Sequence, residues 1–146
     1  MVRQAQPSDA AVVAELLGEL GYPTSTAESA ERLRALSGPD HRVLLVDDGA
    51  GLIALHRMPL LAEGAALMRI TALVVRPDAR GRGVARSLLA AAEATAQEWE
   101  CRLIEVSSGL RPEREPAHRL YRAAGFADAS SRSVRYWKAV GAAGES

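Results

Sequence analysis

One cysteine, no apolar run long enough to cross a bilayer and no surplus of either charge mark this 146-residue chain. Cys101 alone can build neither a disulfide framework nor a thiolate metal site. Beside Trp99 and Leu103, at the start of an apolar run, it reads as a buried spectator rather than a nucleophile. No stretch approaches the roughly 20 apolar residues of a membrane span, and Met1-Val2-Arg3-Gln4-Ala5 has no apolar signal core. Eighteen basic and 18 acidic side chains cancel, so bulk electrostatics calls for neither nucleic acid nor an anionic membrane. These absences lead to the expectation of a cytoplasmic protein. Internal repeats, low-complexity segments and domain boundaries are missing too. The expected organisation is a single domain over 1–146, with Gly141 to Ser146 as a frayed tail.

What is present centres on Leu73 to Leu89. An apolar run rich in β-branched residues reads as a buried strand ending at Val75. Arg76-Pro77-Asp78 breaks it, because proline lacks a donor and restricts its predecessor. After Gly81-Arg82-Gly83, an apolar stripe at Val84, Leu88, Ala92, Thr95 and Trp99 has helical spacing. The helix therefore opens directly out of two glycines. Its first turn has unpaired N–H groups and the positive end of the macrodipole, and Arg80, Arg82 and Arg86 surround the same spot. A phosphate or pyrophosphate is the natural guest. The bland alternative is a tight strand-to-helix turn with surface arginines. The P-loop pattern fails, because no lysine follows Gly83. The dinucleotide fingerprint is weak, because Arg86 is too large for its third small position, although Glu105 lies near the distance of a ribose-binding acid.

Taken in order, Val2 to Ala5 predicts a strand. Ser8 is a candidate N-cap for a helix carrying Val12, Val13, Leu16, Leu17 and Leu20, ended by Gly21. Ser25-x-x-Glu28 is a capping-box pattern opening a second helix with Ala30, Leu33 and Leu36. Strand Arg42–Val46, turn Asp47-Asp48-Gly49-Ala50 and strand Gly51–Met58 form a hairpin. A turn over Pro59–Gly64 leads to strand Ala65–Val75. Helix 84–99, strand Leu103–Ser107, loop Ser108–Glu115, a helix from Pro116 ended by Gly125, and strand Val134–Val140 complete the chain. The pattern predicts an α/β fold with antiparallel hairpins at the start and a parallel pair across helix 84–99.

Two motifs carry a family resemblance. Arg80-x-x-Gly83-x-Ala85 resembles the Arg/Gln-x-x-Gly-x-Gly/Ala signature of the GNAT superfamily of acyl-CoA-dependent N-acyltransferases. Leu120-Tyr121-Arg122-Ala123-Ala124-Gly125-Phe126 is similar to its C-terminal signature. The element order agrees, so the resemblance covers nearly the whole chain. It implies a mixed, mostly antiparallel sheet flanked by helices, with the parallel strand pair around a central CoA-binding helix. It further implies acetyl-CoA as cosubstrate, no metal, and acetyl transfer to a primary amine of a small molecule or peptide in a ternary complex. A homodimeric state stays open.

By the same resemblance, Arg80, Gly81, Arg82, Gly83, Val84, Ala85 and Arg86 hold the pyrophosphate. Backbone N–H groups around Leu73, Val74 and Val75 face the thioester oxyanion, and Tyr121 points its hydroxyl at the thioester sulfur. Packing is the competing role for Tyr121, since Gly125 at C′ would pair it with Phe126 in a Schellman ending. Glu105 alternates with Ile104 and Val106, and a carboxylate there could take the amine's proton. Many relatives have Glu where this chain has Thr71, which leaves the base unassigned. His56 and His118 are weaker candidates for it. The rival function is a non-catalytic acyl-CoA-binding or sensing module on the same fold.

Overall fold

The computed structural model describes residues 1–107, 115–129, 133 and 135–141. They fall into two compact units, Met1–Ser107 and Ser108–Ser146, described separately.

The first unit is a five-stranded sheet in the order β1-β2-β3-β4-β5. Its strands are β1 (Val2–Gln4), β2 (His41–Val46), β3 (Gly51–Leu60), β4 (Ala65–Val75) and β5 (Cys101–Val106). Pairing is antiparallel from β1 to β4 and parallel between β4 and β5. Its helices are α1 (Ala10–Leu20), α2 (Thr26–Ala35) and α3 (Val84–Glu98). The parallel pair needs a crossover, and α3 supplies it.

Strand alternation decides which helix each face receives. Val43, Leu45, Leu52, Ala54 and Val74 share one face and pack with Ala10, Val13 and Leu16 of α1 and Leu33 of α2. Leu44, Ile53, Leu55, Met68 and Ile70, all buried, alternate to the other face, where α3 contacts β3, β4 and β5. The predicted stripe of α3 is buried at Leu88, Ala92, Thr95 and Trp99. The buried Thr95 hydroxyl donates to the Ala91 carbonyl at 2.9 Å, so it enters the core without an orphaned donor.

Gly51 marks the closest approach of sheet and helix. A Cβ there would lie 2.7 Å from the Val74 carbonyl oxygen and 3.0 Å from Val84 Cγ1. Backbone cannot yield as a flexible side chain would. Gly51→Ala is expected to cost about 1–3 kcal/mol through overpacking, measured as a lower midpoint in chemical denaturation.

Several boundaries differ from expectation for identifiable reasons. Ser8 does not cap α1. Pro7–Asp9 form a 3-10 turn, and Asp9 accepts from Gln6 N–H at 2.7 Å while binding Arg3. The Arg3 guanidinium, with the Gln6 N–H, holds the Asp9 carboxyl down at about 2. The capping box of α2 is formed as read: Glu28 N–H donates to Ser25 Oγ at 3.0 Å, and Ser25 N–H to Glu28 Oε1 at 2.9 Å. Strand β3 runs through Pro59 to Leu60 instead of turning at Pro59. The β2 ladder ends at the His41–His56 pair, so Pro59 has no donor to supply on that side.

The second unit contains α4 (Glu115–Ala123). Its end is set by Gly125 at φ +93°, with Phe126 N–H bonded to the Tyr121 carbonyl at 3.0 Å and Gly125 N–H to Arg122 at 3.1 Å. These two bonds are the expected Schellman ending. Ala124 lies beyond the last helical residue and is exposed. The loop residues 108–114, Val134 and tail residues 142–146 lie outside the described residues. Residues 135–140, expected as strand, enter no ladder among the described residues, and Tyr136, Trp137 and Val140 are exposed. Alternation supplies two faces, but a strand exists only as a member of a ladder.

Candidate active site

The path from β4 into α3 is built as an open corner. A 3-10 turn, Pro77–Ala79, follows β4. Arg76 fixes this turn: its Nε donates to Asp78 at 2.7 Å, and its Nη1 reaches the carbonyls of Asp48 and Gly49 at 3.3 Å. Gly81 and Gly83 then take φ values of +81° and +78°, and Gly83 is the N-cap of α3. Only glycine adopts this conformation without a steric cost. A Cβ at either position would meet nothing within 4 Å, so the backbone faces open space. The first bond of α3 runs from Ser87 N–H to the Gly83 carbonyl at 3.0 Å. The N–H groups of Val84, Ala85 and Arg86 therefore have no helical acceptor. Arg80, Arg82 and Arg86 are exposed. None of the three is in an ion pair among the described residues. Sequence placed these seven residues together, and the structure keeps them together. Unpaired donors, the positive end of the helix dipole and three arginines at one helix start suit an anion.

A fork lies next to that corner. Among the described residues, the β4–β5 ladder runs from Ala66–Cys101 to Ile70–Val106, while β4 continues to Val75. Ala72 to Val75 thus remain paired to β3 but, among the described residues, not to β5. Without a β5 partner among the described residues, this edge presents backbone donors and acceptors as a strand edge does. Leu73, Val74 and Val75 lie along it, leading towards the glycine corner. An extended ligand with amide groups can pair there while its anionic end reaches α3.

On the sheet face shared with α1 and α2, polar groups gather beside the fork. Arg69 pairs with His56 across β3–β4 and with Glu105 across β4–β5. Its guanidinium binds Glu105 Oε1, with Nε at 2.9 Å. Glu105 is where alternation put it, but the proton-acceptor role meets a competitor: one oxygen is already engaged by Arg69. His56 Nε2 lies 2.6 Å from Thr71 Oγ1, and His56 Nδ1 lies 3.0 Å from His41 Nδ1. Burial, then the neighbouring charges of His41 and Arg69, lower the His56 pKa and favour neutral imidazole. Sequence reading had singled out His56 and Thr71 separately and missed His41. The signal was available in the hairpin: centring a turn on 47–50 places His41 opposite His56.

In the second unit, Tyr121 is buried and its ring meets Phe126 edge-to-face, with centroids 5.8 Å apart and planes at 63°. His118 Nδ1 lies 3.6 Å from Glu115 Oε2, the local helical partnership expected of a histidine in a first turn. Cys101 is half-buried at the start of β5, and burial raises its thiol pKa, so the thiol form is favoured over the nucleophilic thiolate.

A family model described as "Acetyltransferase (GNAT) family" matches residues 10–126. An aminoglycoside N(6')-acetyltransferase type 1 from Stenotrophomonas maltophilia is 33% identical over 133 residues, covering 86% of this chain and 84% of that protein. Among solved structures, a putative acetyltransferase from Agrobacterium tumefaciens str. C58 superposes with TM-score 0.80 at 21% identity, over 97% of this chain and 99% of the other. An aminoglycoside N-acetyltransferase in complex with CoA gives TM-score 0.78 at 19% identity, over 94% of this chain and 93% of the other.

Proposed function

The chain belongs to the GNAT family of acetyltransferases, and from that premise we propose that it moves an acetyl group from acetyl-CoA to a primary amine of a small molecule. One observation carries the reading: the glycine corner at the start of α3 adjoins the fork where β4 outruns β5. Coenzyme A has the shape this pair of features takes, an anionic pyrophosphate on an extended arm of amides. The residues fit it at both ends. The open N–H groups at Val84 to Arg86 with Arg80, Arg82 and Arg86 receive the pyrophosphate. The edge of Leu73 to Val75, without a β5 partner among the described residues, receives the arm.

In this reading the amine attacks the thioester carbonyl directly. A C–N bond forms, the carbonyl electrons move onto oxygen, and backbone N–H groups around Leu73 to Val75 stabilise that oxyanion. Collapse breaks the C–S bond, and the departing thiolate takes a proton with help from Tyr121. A thiolate of pKa about 8.5 is a good leaving group, so the help required is modest. Glu105, beside the fork, attracts the ammonium form of the acceptor electrostatically. The named relative supports small amines, and aminoglycosides are the first class to try.

Acetyl-CoA consumption, followed as free thiol, tests the proposal across aminoglycosides, polyamines, amino acids and peptide N-termini. Amine-dependent thiol release with a mass gain of one acetyl group on the acceptor is the expected result. CoA binding with no release for any of these amines would count against it.

A further inference from the structure

We propose that Thr71, His56 and His41 form a proton relay that accepts the proton of the attacking amine. The inference rests on the acetyl-transfer reading above and supplies the base that reading leaves open.

Three observations place the relay. Thr71 is the first residue of β4 past the last β4–β5 pair, Ile70–Val106, so it stands at the mouth of the fork. It is also the extra residue of a β-bulge: Ala54 pairs with Ala72 and Leu55 with Ile70, leaving Thr71 without a partner on β3. A bulge re-aims a side chain, and here it brings Thr71 Oγ1 to 2.6 Å from His56 Nε2 while the residue remains exposed. Behind His56, His41 Nδ1 lies 3.0 Å away, with the rings edge-to-face. The chain is therefore continuous from an exposed hydroxyl to a second imidazole.

The proton balance follows from the tautomers. With His56 protonated on Nδ1, that N–H donates to His41 Nδ1, and His56 Nε2 accepts the Thr71 hydroxyl proton. A lone pair of Thr71 Oγ1 then accepts one N–H of the substrate ammonium. As the ammonium N–H bond breaks, the hydroxyl passes its own proton to His56 Nε2. The amine lone pair is freed for attack, and the imidazolium hands its Nδ1 proton to His41 and so to solvent. The ammonium loses one proton, the relay gains one, and the overall transfer releases one.

Thr71 is the catalytic residue in this scheme, because it touches the ammonium; His56 and His41 act through it. The groups bearing on His56 are His41 from β2 and Arg69 from β4, the latter bound to Glu105 of β5.

The test compares Thr71→Val, Thr71→Ser and His56→Gln with wild type, measuring kcat/KM from pH 6 to 10, CoA affinity and Tm. Thr71→Val keeps the shape and removes the hydroxyl. A fall of about 100-fold near pH 7 is expected for Thr71→Val and His56→Gln. The deficit should close towards pH 10, where solvent deprotonates the amine unaided. Thr71→Ser should recover most of the loss, and CoA affinity should be unchanged throughout. Wild-type profiles in Thr71→Val and His56→Gln overturn the relay alone, and so does a loss equal at every pH. Absence of turnover in the wild type with every amine overturns the acetyl-transfer reading and the relay together.

Discussion

Gly83→Glu is expected to lower CoA affinity by about 100- to 1,000-fold while leaving a folded protein. Gly83 sits at φ +78° as the N-cap of α3, and a Cβ there meets nothing within 4 Å. No clash is therefore introduced. What is added is a carboxylate beside the unpaired N–H groups that start α3. Two unit charges 4 Å apart interact by about 4 kcal/mol at an effective dielectric of 20, or roughly three decades in affinity before screening. Placing an L-residue in the left-handed region costs about 1–2 kcal/mol more. Gly83→Ala separates the contributions, since it carries the backbone cost without the charge. Gly64→Ala, at φ +60° in the β3–β4 turn and also free of clashes, reports the same strain away from the corner. Isothermal titration with CoA and thermal melts on all three variants give the answer. CoA affinity near wild type in folded Gly83→Glu would remove the pyrophosphate assignment.

The corner was legible in sequence because its cause is local. Glycine at 81 and 83, a strand before and a helical stripe after leave the backbone few other conformations. The capping box at Ser25 and the helix ending at Gly125 were readable for the same reason. The fork was not. Where β5 stops pairing depends on a ladder between segments some 30 residues apart, which neither segment's own residues specify. The bulge at Thr71 is a similar case. Counting outwards from the expected turn Pro59–Gly64 would pair His56 with Leu67; it meets Arg69 because β3 runs on to Leu60, and nothing in the residues says that Thr71 is skipped. Without the bulge, the sequence shows a threonine and a histidine on neighbouring strands; with it, they share a hydrogen bond. Glu105 shows the reverse limit. Alternation gave its face, but its partner, Arg69, came from the parallel register.

Tyr121→Phe is expected to lower kcat by about 100-fold, at the lower end of the range for lost general-acid help because a thiolate leaves readily. The structure sharpens this test, for the packing role of the tyrosine is now visible. Its carbonyl accepts from Phe126 N–H and its ring meets Phe126 edge-to-face, both within α4 and its end. Phenylalanine preserves the ring and the backbone bond, so Tm should change little and acetyl-CoA affinity should hold. Tyr121→Ala removes the ring, forfeiting about 0.5–1.5 kcal/mol of aromatic pairing in addition to the area it buries, and should lower Tm. If the ring were all that mattered, Tyr121→Phe would turn over like wild type and only Tyr121→Ala would be impaired. If the hydroxyl protonates the thiolate, both variants lose kcat and only Tyr121→Ala loses stability. The pH profile adds a further discriminant. Above pH 9 the thiolate needs no proton to depart, so the deficit of Tyr121→Phe should shrink there, whereas a deficit from disturbed packing would persist.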